Sequence, residues 1–364
     1  MKEKLSVKRL ITIAGTYLAF AIGSGFATGQ EILQYFAVYG AGAFAASILL
    51  LIVGSLMDGE FIATGQREQF ERKDGVYRYY AGKYIGTFYD YFTNLFVYMS
   101  FVVMCSGAGA ALEQQYGLPA WIGVVLLAVL SGLTVTLGLN RIAGIIGKIG
   151  PALIVAVIVI SIINIGVGKH SIAEGMRLLP ELDVLKAAPN WALSAFNYLG
   201  FGILWMVAFL PAYGKTLRSP KEAAVGQTLG VVLFSITSLI VVLAMFANAQ
   251  QMEGAQIPIM YFAENIHPIF GSLYTILIFL AIYSSAVPLL YGPATRFVDE
   301  KSAKGKIIIV VLAVIGAVIA MLLPFNVLMN YIYVINGYVG IIFVVFVAVR
   351  VVIRIVNNRK KKAA

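Results

Sequence analysis

The sequence predicts an all-α integral membrane protein of ten transmembrane helices, arranged as two five-helix halves that run in opposite directions. Two observations predict it: a composition suited to lipid, and a regular succession of apolar runs whose basic residues fall on one side. Of 364 residues 60% are hydrophobic and 12% charged, with a mean hydropathy of +0.88. Soluble domains are about 45–50% apolar and roughly 25% charged. One spanning helix needs about 20 apolar residues, and the chain supplies such runs repeatedly, joined by short polar segments.

Taken in order, the spans fall at about 9–38, 41–66, 87–113, 119–138, 142–167, 190–213, 223–248, 268–292, 306–323 and 326–354. They form a single domain, 1–364, with repeats of approximately 9–167 and 190–354. The basic start "MKEKLSVKRL" precedes an apolar run without a cleavage-site pattern, so the first span is expected to be retained. Cytoplasmic segments carry the excess of Lys and Arg. With both termini inside, 24 of the 27 Lys and Arg fall on the inner side, and only Lys169, Arg177 and Lys186 lie outside. This asymmetry fixes the span count and predicts a multi-pass protein of the cell membrane with cytoplasmic termini. The net charge of +10 is accordingly topology and headgroup contact. Nucleic-acid binding is excluded, because the basic residues are spread over separate segments instead of one face.

Span one contains "AIGSGFATGQEI", residues 21–32, where three glycines, a glutamine and a glutamate interrupt an apolar helix. Span six contains "FNYLGFG", with Asn197, Gly200 and Gly202 near its middle. Paired Gly-interrupted segments in corresponding positions of two inverted halves mark a transporter's binding site. Unwound backbone cannot be satisfied by lipid and must line a protein-walled cavity. Close packing of helices through small residues is the alternative use of such glycines. An enzyme is not expected. His170 and His267 fall in separate outer loops, Cys105 stands alone, and "GSGFATG" lies inside an apolar span, not after a strand.

On these residues, the length and the ten-span layout, the chain resembles the YkvI family of bacterial membrane proteins. That family belongs to the amino acid–polyamine–organocation superfamily, with a LeuT-type fold and broken helices 1 and 6. The resemblance implies secondary active transport of a small organic solute, an amino acid, amine or related compound, by alternating access coupled to Na⁺ or H⁺. It implies substrate contacts at Ile22, Gly23, Ser24 and Gly25, at Phe196, Asn197, Tyr198 and Gly200, and at an aromatic hydroxyl of span three, Tyr98. A Na⁺ site is implied at Ala19, Ile22, Ala281, Ser284 and Ser285; the serines' alternative is to bond back to their own helix. Lys148 in span five lies where proton-coupled relatives place an ammonium in sodium's stead; snorkelling to the interface is its alternative. No cofactor is implied beyond the coupling ion. A non-transporting receptor of the same fold, such as a spore-germinant receptor subunit, is the rival function. The sequence identifies no protein partner.

Among the remaining charges, Glu31 lies about two turns past the break and is expected to face the cavity or a gate as a substrate-binding group. Asp58, Glu60 and Asp90 lie near the inner ends of spans two and three, where pairing with Lys or Arg is expected. Phe20, Phe26, Phe196, Tyr198 and Phe201 flank the two breaks and are expected to wall a small pocket. The segment "AQIPIMYFAENIHP" before span eight is expected to form a short lid.

Overall fold

Apolar runs of this length can satisfy their backbone in lipid only as helices, and the computed structural model shows fourteen of them among the described residues. It describes residues 6–21, 24–72, 74–137, 143–296, 298 and 302–363, with side chains for all of these but 24, 143–151, 358 and 361–363. Span one is broken into α1 (Val7–Ala21), α2 (Ser24–Thr28) and α3 (Gln30–Tyr35). Spans two to five are α4 (Gly42–Glu68), α5 (Gly75–Tyr116), α6 (Ala120–Leu137) and α7 (Ala143–Val167). A short α8 (Ile172–Leu178) joins the halves. Spans six to ten are α9 (Trp191–Gly214), α10 (Pro220–Ala247), α12 (Pro268–Ala294), α13 (Ala303–Ala320) and α14 (Phe325–Ala363), with α11 (Pro258–Ile266) before span eight. Eight of the described helices are long and apolar enough to cross a bilayer singly; α7 and the broken first span make ten. Because ten is even, α1 begins and α14 ends at one face, the terminal face; the other is the far face.

Two boundaries differ from the sequence reading. Helix α5 starts at Gly75, because a short helix precedes the span and meets it at a kink where Gly82 takes the non-helical φ of 74°. Helix α14 continues to Ala363, carrying its basic tail beyond the span.

The contacts between helices occur in matched sets, as two inverted halves require. Span one packs on span seven as span six packs on span two, span three on span ten as span eight on span five, and span three on span four as span eight on span nine. Outward stripes such as Ile48, Ile52 and Leu56 on α4 are exposed, a surface that suits lipid.

The second expected break is absent. Helix α9 runs unbroken from Trp191 to Gly214, and its small residues serve close packing instead. A Cβ at Gly200 would collide with the Gly337 carbonyl of α14, and one at Gly340 with the Gly200 carbonyl. The Asn197 amide donates to the Val334 carbonyl at 2.9 Å and accepts from the Tyr35 hydroxyl at 3.3 Å. The polar group that looked like a site residue therefore stitches three spans together.

Candidate functional site

The break in span one organises the site. Ile22 and Gly23, both expected to bind, lie outside the described residues, as does the side chain of Ser24. Helix α2 follows them, and Gly29 at φ 85° separates α2 from α3. Carbonyls freed here are met by side chains: Thr28 Oγ1 donates to Gly25 at 2.7 Å and the Tyr274 hydroxyl to Ala27 at 2.6 Å. Span eight thus holds the short helix in place.

Glu31, buried in the first turn of α3, turns its carboxylate back onto the break. A Cβ at Gly25 would collide with that carboxylate, so the glycine is the space the acid occupies. The Tyr198 hydroxyl of α9 donates to Glu31 Oε2 at 3.2 Å. Both groups border a cavity of about 560 Å³ walled by spans one, two, three, five, six, seven, eight and ten. Its walls are largely apolar and aromatic, with Phe20, Phe201, Trp205 and Phe209 among them, and Phe20 stacks on Phe209 at 4.0 Å.

Exposure along the cavity is one-sided. Ala19, Ala208 and Pro288, on the terminal-face half of their spans, border the cavity and are exposed, whereas every residue of α3 is buried. The far face is closed by side-chain amides. Gln30 donates to the Ala255 carbonyl at 2.6 Å, Gln34 to the Asn326 carbonyl at 3.0 Å, and Asn330 to Gln34 Oε1 at 2.8 Å. Helix α11 completes the seal as the expected lid. Gln114 of span three exchanges two hydrogen bonds with the Ile257 backbone that leads into it, at 3.0 and 2.9 Å.

Of the residues proposed from sequence, the structure gathers Ala19, Gly25, Glu31, Tyr198, Ala281, Ser284 and Ser285 around this cavity. Ser284 also bonds back to the Ala281 carbonyl at 2.7 Å, the intrahelical alternative. Four others stand elsewhere. Tyr98 donates to the Leu312 carbonyl of span nine at 2.9 Å, Phe196 is 45% exposed on the outer surface of α9, and Asn197 and Gly200 pack against α14. Phe26 packs against Phe234. The Lys148 side chain lies outside the described residues.

Asp58 corrects the sequence reading in the other direction. Glu60 and Asp90 do pair as expected: Glu60 with Arg354 at 2.5 and 2.7 Å and with Arg67 at 3.3 Å, Asp90 with Arg296. Asp58 does not join a basic residue. It is buried, borders the cavity, and accepts from the Tyr17 hydroxyl at 2.9 Å. Two residues from Glu60 on a helix, it points to a different side by about 200°, a difference that position along the span cannot convey. Outside the spans, Asp74 is held below the usual carboxylate range by the guanidinium of Arg72. Backbone and hydroxyl donors of Ser171 do the same for Glu174 in the capping box of α8. Among the described residues no three His, Cys, Asp or Glu side chains converge as metal ligands.

No family model matches the chain. It is 26% identical over 337 residues to YkvI, a membrane protein of Bacillus subtilis (strain 168), covering 91% of this chain and 93% of that one. It is 26% identical over 298 residues to YyaD of the same organism, covering 81% and 82%. Among solved structures it aligns with MhsT in complex with L-phenylalanine at TM-score 0.65 and 15% identity, covering 94% and 89%. With a manganese transporter of Eremococcus coleocola the TM-score is 0.52 at 13% identity, covering 99% and 74%. The chain has the LeuT-type fold, and its likeness to YkvI extends over nearly its whole length.

Proposed function

We propose that this YkvI-like protein of LeuT-type fold is a secondary active transporter of a small cationic or zwitterionic organic solute, an amine or amino acid, coupled to Na⁺ or H⁺, and not an enzyme. One observation carries the reading: Glu31 sits at a helix break, in a cavity accessible from one face and sealed from the other. That is the arrangement of one state in an alternating-access cycle. The charge of the solute follows from the walls. Glu31 and Asp58 border the cavity, and no basic side chain does so among the described residues. A carboxylate so placed is costly until a cation meets it, and the aromatic walls suit the apolar body of a small amine. The positive excess at the terminal face supports a cytoplasmic position for both termini, so the state described opens inward. Ala19, Ala281, Ser284 and Ser285 offer hard oxygens for Na⁺, and Lys148 remains the alternative handle for a proton.

The test is thermal stability of the purified protein with a panel of amino acids, amines and organic acids, each in NaCl and in choline chloride at two pH values. A solute that binds the folded state raises the melting temperature. Sodium-dependent stabilisation lost in Ser285→Ala supports sodium coupling, and pH-dependent stabilisation lost in Lys148→Ala supports proton coupling. The stabilising solute is then followed into proteoliposomes. Binding without ion-driven uptake would make the protein a receptor, and stabilisation by organic acids alone would overturn the assignment of charge.

A further inference from the structure

Where α4 crosses α10, beside the cavity, several buried polar atoms have no partner. Asp58 uses Oδ2 for the Tyr17 hydroxyl, and its Oδ1 accepts nothing. One residue on, a Cβ at Gly59 would lie 3.4 Å from Gln227 Oε1 of α10, so the Gln227 amide ends against the position of α4 that follows Asp58. Gln227 is fully buried, and both its amide oxygen and its amide nitrogen are without partners. The Ser55 hydroxyl, one turn earlier on α4, is also buried and unpartnered. Orphaned groups of this kind are costly, and a buried carboxylate that borders the cavity with one oxygen unpartnered calls for an occupant.

We propose that Asp58, with Tyr17, forms a proton-binding site separate from the break in span one, through which proton binding is coupled to the cycle. The inference rests on the transporter reading and assigns a coupling group to it. A proton fits the surroundings better than an alkali ion. Asp58 Oδ1 is the free carboxylate oxygen here, whereas hard cations take about six oxygens. A single proton on Oδ1 removes the buried charge and needs no set of ligands. Every neighbouring element agrees. Span one presents the Tyr17 hydroxyl and α10 the neutral Gln227. Across the cavity stand Glu31 and Tyr198, hydrogen-bonded to each other. Arg9 of α1 is held by Glu222 of α10 at 3.0 Å, and Arg67 and Arg354 are held by Glu60. Because Tyr17 belongs to the half-helix before the break, charging Asp58 ties that half-helix to α4, and protonation weakens the tie.

The test is infrared difference spectroscopy of the purified full-length protein, titrated from acid to alkaline pH in NaCl and in choline chloride. The carbonyl band of a protonated carboxylic acid is expected at low pH, lost in Asp58→Asn and kept in Glu31→Gln. In Tyr17→Phe the band should persist to higher pH, because the carboxylate loses its donor; this variant keeps the ring and guards against misfolding of Asp58→Asn. A band unaffected by Asp58→Asn, or one abolished by Na⁺ at constant pH, overturns the proposal. The spectrum needs no solute, so it can fail while the thermal panel succeeds, and the reverse.

Discussion

At the scale of single residues, the site depends on one glycine and one acid that exclude any substitute for each other. Gly25→Ala places a methyl group where the Glu31 carboxylate lies. Overpacking of this kind costs about 1–3 kcal/mol, so the variant should melt earlier than the parent. Gly25→Ala/Glu31→Ala should recover that stability while leaving solute stabilisation abolished. Failure of the second change to rescue the first would show that the glycine is needed for its backbone alone. The sequence made Gly25 and Glu31 legible because a break and a charge are rare inside an apolar run. It could not separate Asp58 from Glu60, which share a turn of α4 and differ only in the direction they face. Tyr98, Phe196 and Asn197 were misplaced for the same reason: span number and depth can be read from a chain, but azimuth around a helix must come from packing.

At the scale of elements, helix ends and crossings explain what the apolar pattern leaves open. The break in span one was legible because Gly29 needs a left-handed backbone. The expected break in span six was not, because glycines that unwind a helix and glycines that let two helices touch look alike in sequence; Gly200 is of the second kind. Outside the bilayer, α8 begins with a capping box in which Ser171 and Glu174 bond reciprocally. The folded Glu174 carboxylate titrates below its ordinary value of about 4.3. Its contribution is therefore complete above that value and lost as pH falls through the lowered one. Amide hydrogen exchange in residues 172–178 should accelerate over that acidic range, after correction for intrinsic rates. Ser171→Ala should exchange faster already at neutral pH and lose most of the acid dependence; an unchanged profile would mean that neighbouring loops hold the helix.

At the scale of the whole molecule, the two faces are closed by different chemistry. With Cys105 replaced by Ala, a cysteine introduced at Ser285 should react with an impermeant thiol reagent from the terminal face and be protected from the far face. Adding Gln34→Ala, which removes contacts to Asn326 and Asn330, should raise far-face labelling several-fold; equal labelling with and without it would mean that the amides do not seal the cavity. The apolar spans and the LeuT-type fold were legible in the sequence because lipid allows only helices. The state in which they are caught was not, since it depends on which amides meet. The ion pairs of Arg9, Arg67, Arg78, Arg296 and Arg354 all gather at the terminal face, and neutral amides close the other. Mobile ions screen the first, more at its exposed guanidinium groups than at its buried carboxylates, and leave the second untouched. Ionic strength is therefore a one-sided reagent for this protein: raising it loosens the helices around the open mouth while the closed mouth keeps its grip, so salt tunes the width of one doorway without unlocking the other.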